Sequence, residues 1–304
     1  MKLIFVKNKK IDYKKWDNTI SKSYNGNVYA YSWYLDIVCE WNAIITPDYK
    51  YIMPLPVKTK FFIKYTYTPV LIQQLGIFSE NEITNEILSS FLYTAQKKYK
   101  YFNIKFNKYI NVNKLNINKT ENITYELDLI QNYNDISKKY STNTKRNLKK
   151  AEKNNLTISK SITIKQITNL LEQNLATKIR ELNNDIINKI KFIISQSSQK
   201  KIGELIGVYD KYNNLISAAF FITSHNKTIM LILATSEESK QTGANFKLID
   251  YFIKQNSNKH LTLDFEGSNI KTLARFYASF GAKKFKYYTI KYNNLPFIIQ
   301  LLKK

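Results

Sequence analysis

The stretch Thr262 to Gly281, TLDFEGSNIKTLARFYASFG, predicts a short strand, an acidic turn and an amphipathic helix that ends at glycine. Because apolar and polar residues alternate here, we expect Asp264 and Glu266 on one strand face, roughly 7 Å apart. Ser268 is a suitable cap for the helix. The predicted apolar face of that helix consists of Ile270, Leu273, Ala274 and Tyr277. Open α/β sheets place their sites beyond the carboxyl ends of strands, so this turn is a candidate active site. The alternative is a plain strand–helix connection with solvated carboxylates.

The composition indicates a globular protein without metal chemistry. The 304 residues suffice for one large or two modest domains, and 44% of them are hydrophobic. Cys39 is the single cysteine, which excludes an internal disulfide framework. His225 and His260 are the only histidines, so we expect no metal site. No apolar run is long enough to span a membrane, and we expect a cytoplasmic protein without a transmembrane segment.

The formal net charge of +24 has two interpretations. It predicts a polyanionic partner such as RNA, DNA or an anionic membrane surface. The alternative is compositional drift, because the chain is rich in Lys, Asn, Ile and Tyr, whose codons are AT-rich. Most of the lysines are scattered along the sequence, which favours drift for them.

Strand and helix patterns alternate along the chain, which is typical of an α/β (mixed α+β) protein. We expect a first unit over residues 1–130 and a second over 131–283, followed by a strand in 284–304. Within the first unit, the patterns predict a helix over Ser32–Trp41 and an extended segment over Val70–Phe78.

A second candidate site lies where a polar segment leads into the helix predicted from Gly243. Free N–H groups at a helix N-terminus bind anions, and a small residue permits close approach. The residues predicted to hold a phosphate or pyrophosphate are Lys240, Gln241, Thr242, Gly243, Ala244 and Asn245. The alternative is an ordinary turn before a helix.

A basic helix is predicted over Thr142–Lys153, with Ser141 or Thr142 as its cap. Five cations recur at three- and four-residue spacing, so they repel one another unless anions neutralise them. We therefore expect Arg146 and Lys149 to bind a phosphate, the alternative being a solvated surface helix.

The aromatic segment Tyr29–Tyr34 contributes two further candidates for substrate binding. Tyr31 and Trp33 are suited to the wall of a groove, and the alternative is that this segment packs in the core.

Four segments in order resemble the FemABX-type acyltransferases, a branch of the GCN5-related N-acetyltransferase (GNAT) superfamily. They are Tyr51–Pro56, Ser141–Lys153 with its RNLKKA sequence, Ala234–Phe252 with Gly243-Ala-Asn245, and Leu263–Gly281 with its LDFEGS and RFYASFG sequences. Bridge-forming members of that family have lysine where this chain has Tyr277.

The resemblance implies two tandem GNAT-like domains, each a mixed sheet flanked by helices, with the main active cleft in the second. It also implies that the C-terminal strand within 284–304 completes the first domain. The implied activity is transfer of an acyl or aminoacyl group onto an amine. The implied donor is acetyl-CoA or another acyl-CoA, or alternatively an aminoacyl-tRNA, and the acceptor is an amine such as that of a lipid-linked peptidoglycan precursor.

For direct transfer we expect Glu266 to accept the amine proton, with Asp264 behind it. We expect Tyr277 and Arg275 to orient or neutralise the acceptor. Backbone N–H groups of the strand Thr228–Thr235 are the candidate oxyanion donors. Two other functions fit the same residues: a non-catalytic RNA-binding protein on this fold, and an acetyl-CoA-dependent small-molecule or polysaccharide acetyltransferase.

Overall fold

The computed structural model describes residues 1–60, 62–112, 115–175, 183–267 and 269–296 of the chain. Its contacts divide the chain into two compact units. The first unit combines Met1–Asn122 with the residues from Lys286 onward, and the second is the continuous segment Ile123–Phe285.

The first unit contains a mixed sheet with three helices among its described residues. The strands are β1 (Ile4–Lys7), β2 (Trp41–Ile45), β3 (Ile52–Lys60), β4 (Ile63–Tyr67), β5 (Tyr101–Phe106) and β12 (Lys283–Asn293), in that spatial order. The pair β4–β5 is parallel, and the other neighbours are antiparallel. The helices are α1 (Tyr13–Lys22), α2 (Ser32–Val38) and α3 (Asn85–Lys98). Burial of large side chains such as Trp16, Trp41 and Phe91 forms the core of this unit.

The second unit also has a mixed sheet. Its strands are β6 (Lys119–Asp128), β11 (Thr262–Asp264), β10 (Lys227–Thr235), β9 (Leu215–Ser224), β8 (Gly203–Tyr209) and β7 (Thr157–Ser159), in that spatial order. Only the pair β10–β11 is parallel. The helices are α4 (Tyr133–Lys138), α5 (Thr142–Lys153), α6 (Ile164–Leu175), α7 (Asn184–Gln199), α8 (Glu237–Thr242), α9 (Ala244–Asn256) and α10 (Lys271–Ala278).

Helix α9 packs its apolar face against the sheet of the second unit. Leu248, Ile249 and Phe252 are buried on that face, and the Phe252 ring stacks on Phe221 of β9 with centroids 4.0 Å apart. This packing places the start of α9 near the end of β10. The acidic turn and the predicted anion site therefore lie at the same end of the sheet.

The sequence predicted the fold class correctly: each unit is a mixed sheet flanked by helices. Helix α5 has the predicted bounds, and Ser141 caps it by accepting a hydrogen bond from the Thr144 N–H at 3.1 Å. The helix predicted from Ser32 is present but ends before Trp41, and the segment predicted as extended over Val70–Phe78 forms no strand. Helix α2 ends at Val38 because Trp41 begins β2. The segment Val70–Phe78 makes only isolated bridges, at Leu75 and Phe78, and Gly76 has φ +116° between them.

Candidate active site

The acidic turn begins where β11 ends, at Asp264. In the sheet, Asp264 lies opposite Glu126 of the antiparallel strand β6 on one side and opposite Ile229 of the parallel strand β10 on the other. The chain then leaves the sheet, because Glu266 and Gly267 adopt left-handed conformations with φ +55° and +42°. The strand alternation predicted for Asp264 and Glu266 therefore ends at Asp264. The conformation of the turn, and not the strand, sets the direction of the Glu266 side chain.

Asp264 is held by a buried polar network. Its Oδ1 accepts hydrogen bonds from the Thr124 hydroxyl at 2.7 Å and from the Glu266 N–H at 2.9 Å. Its Oδ2 lies 3.4 Å from Lys227 Nζ, which also forms an ion pair with Glu126 at 2.7 Å. Burial raises the pKa of Asp264, and the Lys227 charge opposes that increase. Asp264 thus fixes the turn and has few lone pairs left for a substrate.

Replacing Lys227 with methionine is expected to destabilise the protein by about 2 kcal/mol at pH 7. The change removes the Lys227 charge from the two buried carboxyls of Glu126 and Asp264, and such losses reach about 3–5 kcal/mol when the pair is fully buried. We expect a smaller loss than this range because the Lys227 side chain is 19% exposed. Urea unfolding at pH 7 and pH 4 measures the effect. The deficit should shrink at pH 4, because the pKa of Asp264 is raised and its carboxyl takes up a proton more readily there. An equal deficit at both pH values would contradict the role of Lys227.

The Glu266 carboxyl is the unusual group of the turn. Its Oε1 is buried and has no hydrogen-bond partner among the described residues. Burial raises the pKa of Glu266 well above its ordinary value of 4.5. A carboxyl with an elevated pKa and a vacant acceptor atom can take a proton from a bound substrate near neutral pH.

Tyr277 of α10 lies beside this carboxyl. Its ring is 8% exposed and stacks on Phe265, with centroids 5.0 Å apart. Burial, together with the charge of Glu266, raises the pKa of Tyr277 to about 12. The phenol is therefore neutral at physiological pH and is available as a hydrogen-bond donor.

The remaining predictions for α10 are partly wrong. The helix begins at Lys271 with Ile270 as its N-cap, without a side-chain cap, while Ser268 lies outside the described residues. Ile270 and Leu273 are exposed, at 61% and 39%, so of the predicted apolar face only Tyr277 is buried. Arg275 is exposed on the same helix.

The edge of β10 that faces β11 is only partly covered. Among the described residues, β11 pairs with β10 at Lys227–Ile229 only, whereas β9 pairs with β10 as far as Thr235. The β9–β10 register also shifts between Met230 and Ile232, as a β-bulge does. Strand β11 ends at Asp264, so among the described residues no strand pairs with β10 on that side beyond Ile229.

The anion site predicted at the start of α9 includes a segment that is itself helical. The polar segment before α9 forms the short helix α8, in which Lys240 is ion-paired with Glu237 at 2.6 Å. Gly243, with φ +82°, joins α8 to α9, and a Cβ there would lie 2.3 Å from the Asn147 carbonyl oxygen of α5. Helix packing by itself therefore requires this glycine.

Other predicted donor-binding residues are placed as follows. The Asn245 Oδ1 accepts a hydrogen bond from the Ser217 hydroxyl of β9 at 2.7 Å, and the Thr242 hydroxyl donates to the Ser239 carbonyl. Ala244 is buried at the start of α9, and Gln241 is exposed. Gln241 and Thr242 line a cavity of about 540 Å³. Three lysines and three carboxylates also line it: Lys153, Lys211, Lys240, Asp210, Glu237 and Glu238. These charges cancel, so the cavity does not favour an anion.

The basic face of α5 is exposed to solvent. Arg146 and Lys149 are both exposed, and the Arg146 guanidinium donates to Asn143 Oδ1 at 2.9 Å. Tyr31 and Trp33 belong to the first unit, where both are partly buried around the start of α2.

The network partners Thr124, Glu126 and Lys227 were not predicted from the sequence. Lys227 and Glu126 are 101 residues apart, and only the strand order brings them together. In the sequence, Lys227 stands at the end of a predicted turn. That position is equally typical of a solvated lysine, so it did not indicate a buried ion pair. Among the described residues, no group of three or more His, Cys, Asp or Glu is placed to bind a metal ion. Nor does that part of the chain include a helix whose length and apolar character would let it cross a membrane.

Comparison with known proteins identifies the fold. No protein-family model and no curated protein sequence matches the chain. Among solved structures, FemX is similar with a TM-score of 0.71 and 14% identity, over 100% of each chain. L-PGS from Bacillus licheniformis has a TM-score of 0.59 and 9% identity, over 96% of this chain and 95% of its own.

A third similar structure is the C-terminal domain of an Agrobacterium fabrum protein named as a lysylphosphatidylglycerol synthetase. It has a TM-score of 0.57 and 8% identity, and the match covers 97% of this chain and 95% of that domain. The resemblance of this chain to FemX and to the two other structures is therefore a resemblance of fold, and the expected FemABX-like fold is confirmed.

Proposed function

We propose that this chain, which has the fold of FemX, transfers an acyl or aminoacyl group from an activated donor to an amine. The observation that carries the proposal is the Glu266 carboxyl, whose Oε1 is buried without a partner and whose pKa is raised. A carboxylate kept in this state is costly unless a ligand uses it, so it marks a functional position.

The proposed reaction is direct transfer between two bound substrates. The nitrogen of the acceptor amine attacks the carbonyl carbon of the donor, and Glu266 accepts the proton that the nitrogen loses. The oxyanion that forms on the carbonyl oxygen is stabilised by N–H groups of β10 beyond Ile229, where no described strand pairs with β10 on the β11 side. The bond between the carbonyl carbon and the sulfur or ribose oxygen of the donor then breaks. The sulfur or oxygen leaves with the electrons of that bond and takes up a proton, so that protons and electrons balance.

The other residues of the site have supporting roles in this proposal. Asp264 holds the Glu266 N–H and so orients the turn. Tyr277 donates a hydrogen bond to the acceptor or to the carboxylate, since its phenol stays protonated. Arg275 is placed on the solvent side of α10, where it is suited to an anionic group of the acceptor.

Two donors remain open in the proposal: an acyl thioester such as acetyl-CoA, and an aminoacyl-tRNA. The exposed Arg146 and Lys149 of α5 are suited to the phosphates of either donor, or to those of a lipid-linked precursor as acceptor. The charge-balanced cavity beside α8 and the packing of Gly243 on α5 favour α5 over the start of α9 as the phosphate-binding element.

Thermal unfolding with candidate donors tests the proposal. Acetyl-CoA, CoA, aminoacylated tRNA and uncharged tRNA are compared at two salt concentrations. A donor at about a hundred times its Kd should raise the Tm by about 2 °C or more for a chain of this size. Stabilisation by a CoA species that resists salt identifies a thioester donor, and preference for aminoacylated over uncharged tRNA identifies an aminoacyl donor. Equal, salt-sensitive stabilisation by both RNAs would instead identify a non-catalytic RNA-binding protein.

A further inference from the structure

The hairpin formed by β3 and β4 in the first unit carries an unusual residue at its tip. Lys60 pairs with Ile63, and of the two residues between them the structure describes Phe62. The Phe62 side chain is fully exposed, with a relative exposure of 104%. Its backbone has φ +59°, which places an aromatic residue in the left-handed region.

Neither packing nor conformational preference accounts for phenylalanine at this position. Tight hairpin tips with positive φ favour asparagine and glycine, whereas a bulky side chain there is strained. The exposed ring also leaves its whole apolar surface in water. Strain and exposure in one residue indicate that the side chain meets something outside this unit.

The charges around the tip have one sign. Lys58, Lys60 and Lys64 are all exposed on the two strands that lead to Phe62. No aspartate or glutamate occurs between Lys58 and Tyr67. The hairpin therefore presents an aromatic ring surrounded by cations, without local acidic residues that would weaken the attraction of an anionic surface.

We propose that this hairpin docks the protein on an anionic lipid bilayer. Phe62 enters the interfacial region of the bilayer, while the lysines contact anionic headgroups at its surface. A single fully exposed ring at a hairpin tip suits a soft surface that closes around an inserted side chain. Single-stranded RNA is instead bound along grooves in which bases stack on aromatic side chains, so the shape favours lipid.

Vesicle co-sedimentation tests the docking with the full chain and the variant Phe62→Asn. The parent protein should bind vesicles containing phosphatidylglycerol and should bind phosphatidylcholine vesicles weakly. The variant should lower the partition coefficient on the anionic vesicles about tenfold, as expected for loss of one buried aromatic ring. Asparagine suits the positive φ, so the variant should have an equal or higher Tm, and lost binding cannot be attributed to unfolding.

A tryptophan at the tip gives an independent readout. Phe62→Trp should show a blue shift of its emission with anionic vesicles and quenching by brominated lipid. The matched control is Tyr212→Trp, since Tyr212 is also exposed, at 72%, in the β8–β9 turn beside Lys211. Absence of parent binding, equal binding of Phe62→Asn, or an equal shift at both tryptophans would overturn the proposal. Loss of RNA binding in Phe62→Asn without any vesicle binding would also overturn it, in favour of RNA.

Discussion

Turnover of the Glu266→Gln variant is expected to be at least about 100-fold lower than that of the parent protein, at saturating donor and acceptor. Glutamine keeps the size of the side chain but cannot accept the amine proton. The measurement is kcat with the donor identified by thermal unfolding, in parallel with Glu82→Gln, which changes an exposed glutamate of the first unit. Parent-like turnover in Glu266→Gln would contradict the assignment of the general base.

The pH dependence gives the same experiment a second readout. Glu266 must be deprotonated to act as a base, and its pKa is raised, so parent turnover should rise with pH through a range well above 4.5. The folded protein binds this proton more tightly than the unfolded chain does. The contribution of Glu266 to stability is therefore greatest below about pH 4.5 and decreases as pH rises through the folded pKa. Glu266→Gln lacks this decrease, so its stability relative to the parent should increase with pH.

Replacing Gly267 with alanine is expected to destabilise the protein by about 4 kcal/mol or more. A Cβ at this position would lie 2.1 Å from the Ile123 carbonyl oxygen and 2.3 Å from the Thr124 Cα, which are backbone atoms of β6. The residue also has φ +42°, which a side chain disfavours by about 1–2 kcal/mol. Urea unfolding measures the loss, which combines strain with overpacking against a strand that cannot move freely.

Gly281→Ala is the matched control for that variant. Gly281 also has a positive φ, of +82°, but its nearest neighbour is the Cβ of Lys139 at 3.1 Å. We expect a loss of about 1–2 kcal/mol there, because only the backbone conformation is penalised. Equal losses in the two variants would show that the approach of Gly267 to β6 adds nothing to the penalty.

Local sequence patterns predicted the helices and strands whose caps or periodicity are visible within the element itself. The capping serine Ser141 and the spacing within α5 gave that helix its correct bounds, and the predicted strand Thr228–Thr235 matches β10 to within one residue. The N-terminal elements β1 and α1 and the short helix α8 were missed. The signals of β1 and α8 are weak, because a strand of four residues or a helix of six depends on its neighbours for stability. Helix α1 has ten residues and is capped by Asp12, so its signal was present in the sequence.

The residues of the candidate site also divide into those that a local sequence pattern predicted and those that it did not. Glu266 was predicted because an acidic residue directly after a strand is visible in the sequence. Its left-handed conformation was not predicted, since glutamate rarely adopts it. The Lys227 network also depends on strand order, which local periodicity does not encode.

The pairing of β12 with β5 has a consequence for how the protein is made. The second unit is one continuous segment, so a nascent chain can fold it as soon as about residue 285 has left the ribosome. The first sheet must wait longer: Tyr101–Phe106 meets its antiparallel partner only after the residues up to Asn293 have been synthesised. During translation β5 is therefore an open edge, accessible to chaperones or to misassembly with other nascent chains, although its own residues emerge early.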